Sequence, residues 1–172
     1  MTVPGTPKHD AKVPRRLLPR PYALMGVGAV LLSMSGAALG VQIARFPRPG
    51  LSPVLRWGLA LALALGWLLG TTTGAAMSSQ VNHWVGGVAS DAGGLPLFGW
   101  SRLGGDMRVP HFVGVHATQA VAFAAWWLQR KASSAAEMRR AWVSTLVFAA
   151  LWSLLALALF AQATAGRPLW AA

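Results

Sequence analysis

The chain has 172 residues, 55% of them hydrophobic and 11% charged, with a formal net charge of +11. A soluble domain carries about 25% charged residues, so a deficit this deep excludes a water-solvated globule and points to lipid as the solvent for much of the surface. There is no cysteine, which excludes disulfides, thiolate metal sites, iron–sulfur clusters and thioether-linked haem.

Residues 1–21 contain five prolines and five Lys or Arg. Repeated proline and like charge prevent a packed core, so this stretch reads as a disordered basic tail, with residues 22–172 forming the membrane domain. The basic excess is not interleaved with aromatics and sits mostly just outside apolar runs. Stop-transfer and anionic-lipid contact account for it, and no nucleic-acid partner is expected.

The first span is expected at residues 22–44, which carry no charge up to Ala44. At about 1.5 Å per residue it crosses a hydrocarbon core of about 30 Å. Gly36 and Gly40 form one GxxxG. A cleaved signal peptide is the competing reading, disfavoured because the run is long and its cleavage signal weak. The second span is expected at 57–77. Gly66, Gly70 and Gly74 give overlapping GxxxG motifs, read as a close approach between the first two spans, with Thr71, Thr72 and Thr73 beside them.

Residues 78–109 are too polar and glycine-rich to span, yet Trp84, Phe98 and Trp100 argue against disorder, because such aromatics settle at a membrane interface. A compact, structured loop on one membrane face is expected. The third span is expected at 110–128, opening on Pro110 and carrying His111 and His116. After a basic connection, the fourth is expected at 141–165. The fold class is thus all-α: an integral membrane bundle of about four transmembrane helices with one large Gly-rich structured loop. Orientation stays open. Eight Lys or Arg fall on the side of the tail and seven on the other, which decides nothing by the charge rule.

His83, His111 and His116, with Asp106, form the constellation that could carry chemistry. The loop should bring His83 and His111 to one face, with His116 about 7.5 Å deeper. Neutral imidazole suits transition metals and haem iron, so one reading is haem b or a transition metal held by His83 with His111 or His116, with Asp106 as a further metal ligand. Residues five apart on a helix diverge by about 140°, which disfavours His111 and His116 sharing one ion. His116 and Gln119 are spaced for a hydrogen-bonded pair. The competing and stronger reading is a polar lock tying loop to bundle, in which Arg102 and Arg108 pair with Asp91 and Asp106 and the imidazoles bond to backbone carbonyls. A third is a proton or solute path lined by His116, Gln119 and Thr71 to Thr73. His9 is given no role. No nucleophile elbow, P-loop or HExxH is present, and Glu137 reads as a local ion-pair partner for Arg139 or Arg140.

The run from Gly93 through Trp100 and Ser101, then Gly104-Gly105-Asp106-Met107-Arg108-Val109-Pro110-His111 and on to His116 and Gln119, resembles a segment of uncharacterised bacterial multi-pass membrane proteins with the pattern GLPLxGWSxxGGDLRVPHFxGxHxxQ. An earlier His–Gly motif of those proteins corresponds here to His83-Trp84-Val85-Gly86, without the usual residues between. The likeness covers roughly residues 80–120. It implies that loop and third span form one unit, in a bacterial inner membrane, and that this chain is a shortened form or one component of a larger assembly. It supplies no reaction. The leading expectation is a non-enzymatic subunit of a membrane complex that holds a partner or cofactor at the loop.

Overall fold

In the computed structural model, residues 19–80 and 82–171 are described, so the expected tail lies outside the described residues up to position 18. Four helices follow in order: α1 (Pro19–Arg45), α2 (Pro53–Gln80), α3 (Arg108–Gln129) and α4 (Ala135–Thr164). Between α2 and α3 lies a two-stranded antiparallel bridge, β1 (Trp84–Val85) with β2 (Gly105–Asp106), pairing Trp84 with Asp106 and Val85 with Gly105.

The helices outrun the expected spans because of their starts. Ser52 accepts the Leu55 N–H at 3.1 Å, and Pro53 takes the first helical position, where its missing N–H is no loss. At α4 the Ser134 hydroxyl accepts the Glu137 N–H while the Glu137 carboxylate accepts the N–H of Ser133 and Ser134, a capping box that starts the helix six residues before Ala141. Glu137 is therefore a cap; among the described residues it forms no ion pair with Arg139 or Arg140.

Among the described residues three helices are long and apolar enough to cross a membrane: Leu24–Arg45, Pro53–Gln80 and Ala135–Thr164. The expected third span, α3, is not among them. His111, His116 and Gln119 dilute its apolar character, and it lies between α2 and α4 with Val109, Pro110, Gly114, Ala117, Val121, Ala124 and Ala125 buried. The core runs along this seam: Ala62, Val121 and Ala149 pack together, and one layer away Leu69, Ala117 and Ala156 do the same.

The glycines of α2 do not serve α1 as expected. A Cβ on Gly58, Gly66, Gly70 or Gly74 would meet Ala125, Thr118, Val115 or His111 of α3, in that order along the antiparallel pair. Helix α3 answers with Gly114 against Leu69. Helix α1 reaches α2 with its own glycine, Gly40, whose Cβ would lie 3.1 Å from that of Leu63 and 3.3 Å from the Ala60 carbonyl. The α2 stripe went to α3 because α3 is the inner neighbour, whereas α1 docks on a different flank.

Candidate functional site

The segment from Asn82 to Met107 caps one end of the bundle, and a single guanidinium organises it. Arg108 opens α3, two residues beyond Asp106. The Asp106 carboxylate, only 2% exposed, accepts from Arg108 Nε at 3.0 and 3.2 Å, from Arg108 Nη2 at 2.7 Å, from the Arg108 backbone N–H at 3.0 Å and from the Ser101 N–H at 2.9 Å. A short acidic side chain bonding its own backbone two residues on is a local turn, and here it satisfies a donor at the start of α3 that lacks an intrahelical partner. The same guanidinium donates to Asp91 Oδ1 at 2.7 Å and to the Gly99 carbonyl at 2.8 Å. His83 completes the set: its Nε2 lies 3.2 Å from Asp91 Oδ1, its ring rests on Trp84, and its carbonyl accepts the Met107 N–H at 2.8 Å. Position 105 must be glycine, since any Cβ there would collide with the Ala163 carbonyl of α4.

Outside this lock the chain presents apolar side chains. Residues 95–100 close a turn in which the Leu95 N–H donates to the Trp100 carbonyl and the Gly99 N–H to the Leu95 carbonyl, both at 2.8 Å. Leu97 sits at its tip with φ 74° and is 94% exposed. A left-handed backbone is strained for a bulky residue and persists only where its surroundings fix it. Phe98 stacks on Trp100 with ring centres 4.5 Å apart, and both meet Phe112 edge-on at 5.8 and 5.7 Å.

The structure therefore distributes the expected site residues over three places. His83 joins Asp91 and Asp106, whose donor atoms lie within 4.8 Å of one another. His111 points to α2, with Nδ1 3.0 Å from the Thr73 hydroxyl oxygen. The same hydroxyl lies 2.8 Å from the Leu69 carbonyl, and when it donates there it accepts from a His111 tautomer protonated at Nδ1. His116 packs under Phe112 at 4.2 Å between ring centres, and no side-chain hydrogen bond joins it to exposed Gln119. The five-residue spacing sends the two helical histidines to different flanks, as helix geometry requires. Neither belongs to a group of three donors among the described residues. Arg102, expected to pair with an acid, instead reaches the Ala171 carbonyl at 3.5 Å. His83 meets a carboxylate, whereas His111 lies against both the Thr73 hydroxyl and the Gly70 backbone carbonyl. The Thr73 partnership was missed in sequence; its only signal was the hydroxyl cluster beside glycines.

The His83, Asp91 and Asp106 donors do not suit a metal ion as they stand. Both Asp106 oxygens are taken by N–H donors, and the Arg108 cation already bridges the two carboxylates. A divalent ion would have to expel that guanidinium.

Both carboxyls are held below the usual carboxylate range. For Asp91 the hydrogen bond from His83 is the largest cause; burial opposes it, and the hydrogen bond and charge of Arg108 add to the lowering. For Asp106 burial acts upward, but the bonds from Arg108 and from the backbone N–H of Ser101 and Arg108 together outweigh it. A depressed folded pKa means that the unfolded chain binds the proton more readily, so the stabilisation is complete above about pH 4 and is lost as pH falls through the lower, folded values. The cap should loosen in acid below about pH 4, read as faster proteolysis between Gly86 and Gly104 by an acid-tolerant protease. Equal cleavage rates at neutral and strongly acidic pH would contradict the lock.

No protein-family model, no curated protein and no solved structure matches this chain.

Proposed function

We propose that this chain is a multi-pass membrane protein whose four helices all cross the bilayer, and that its locked cap is a rigid platform holding a partner in a membrane complex. The observation carrying this reading is the pairing of a strained, fully exposed Leu97 with the Phe98–Trp100–Phe112 cluster, on a loop made rigid by a buried ion pair. Exposed apolar patches of this kind mark interaction sites. Helix α3 crosses with its polar His111 facing α2, since its 22 residues reach about 33 Å at 1.5 Å each. A bacterial inner membrane is the location that the likeness of the loop segment implies.

A photo-crosslinking residue at Leu97, introduced in the native membrane, tests the platform. One protein adduct of defined mass is expected, and it should vanish in Asp106→Asn, where the lock is broken. Adducts to lipid alone would sink the reading.

A metal site is the runner-up, favoured by the close donors of His83, Asp91 and Asp106, whereas haem held by His83 with His111 or His116 has no such juxtaposition among the described residues. The metal site requires Arg108 to be displaced, so metal binding would raise the susceptibility of the cap to proteolysis. A visible spectrum with elemental analysis of detergent-purified protein, before and after His83→Ala, decides between the two.

A further inference from the structure

The end of the bundle opposite the cap gathers every Lys and Arg from Arg45 to Arg56 and from Arg130 to Arg140. The one carboxylate there, Glu137, accepts from the N–H of Ser133 and Ser134 and the Ser133 hydroxyl at 2.8 to 3.0 Å, so it is engaged in capping α4. Among the described residues none of these cations forms an ion pair. Arg56 lies over the Trp57 ring, 5.3 Å from its centre, with a buried Nε that has no hydrogen-bond partner. Arg130 lies over Trp127 at 3.5 Å.

Between the first turns of α2 and α4 this basic end opens into a crevice of about 310 Å³, walled by Pro53, Val54, Trp57, Met138, Arg139 and Trp142. It closes one turn deeper, where a Cβ on Gly58 would lie 3.8 Å from the Thr145 methyl. Arg139 supplies its only cationic wall; the rest is apolar and aromatic. The volume is at the lower end of ligand sites, which run from about 300 to 1,000 Å³. A cation at the mouth and indole rings below are the chemistry of an interfacial head group with its first methylenes.

We propose that this crevice binds an anionic phospholipid, its phosphate against Arg139 with Arg56 on the adjoining turn, and its glycerol and proximal chain on Trp57, Met138 and Trp142. A soluble anion would gain nothing from the apolar walls, and a zwitterionic lipid would bring a second cation to a face already rich in them. The inference rests on the membrane reading, not on the cap platform, and concerns the opposite end of the molecule.

The test is native mass spectrometry of the whole chain in mild detergent, with phosphatidylglycerol and phosphatidylcholine of identical chains. Phosphatidylglycerol should be retained preferentially, and Arg139→Gln should weaken it by about fivefold, the loss of one cation near a phosphate. Trp142→Ala should lower retention of both lipids, whereas Arg102→Gln at the cap should change neither. Equal retention of the two lipids, selectivity that survives Arg139→Gln, or displacement by excess inorganic phosphate would each overturn the site. Circular dichroism of each variant checks that the helices persist. Alkaline carbonate extraction of the unmodified chain tests membrane insertion by itself, so failure there is distinguishable from failure of lipid selectivity.

Discussion

Asp106→Ala should destabilise the folded chain by about 3 kcal/mol, the scale for removing one partner from a buried, hydrogen-bonded ion pair. The substitution strips the Ser101 and Arg108 N–H groups of their acceptor and leaves the Arg108 guanidinium with Asp91 as its one carboxylate and the Gly99 carbonyl. Asp91→Ala removes a carboxylate from the same cation but should cost below about 1 kcal/mol, since the Asp91 side chain is 48% exposed and water screens it. Thermal unfolding in detergent measures both, and the contrast is the informative quantity. Equal losses would mean that the lock is spread evenly over the cap instead of centred on Asp106.

Gly66→Ala is the second large effect. The added methyl would occupy the space of the Thr118 side chain, so α2 and α3 must separate or Thr118 must find another rotamer. Overpacking of this kind costs about 1 to 3 kcal/mol, which exceeds the roughly 1 kcal/mol that alanine gains over glycine within a helix. Gly28→Ala is the matched control, because nothing lies within 4 Å of a Cβ there. It should be neutral or slightly stabilising in the same melt. Destabilisation by Gly28→Ala comparable to that by Gly66→Ala would show that the α2 glycines are not special contacts.

The four helices were legible because uncharged apolar runs have few other uses. Their ends were not, since Ser52 and Ser134 start α2 and α4 ahead of the apolar stretches, and a cap is a matter of one hydroxyl and one N–H. The lock was legible in part as chemistry: two acids in a glycine-rich loop need a cation, and Arg108 supplies it whereas Arg102 does not. Which arginine serves both acids depends on Asp106 lying two residues before Arg108, at the point where β2 becomes α3. The partners of the histidines were hidden for a related reason. Thr73 and His111 are 38 residues apart, and only the antiparallel register of α2 on α3 brings them together. The same register sets the α2 glycines against α3 and not α1, since a GxxxG stripe announces a close approach without naming the helix that makes it.

Helix α1 stands apart from this architecture in a mechanical sense. The bridge and the contact of Gly105 with Ala163 rivet α2, α3 and α4 into one frame. Of the glycines of α1, Gly36 and Gly40 face α2, whereas a Cβ on Gly26 or Gly28 would meet nothing within 4 Å among the described residues. The helix is a cantilever. A load applied to its N-terminal half reaches the cap along α2, the helix on which α1 docks.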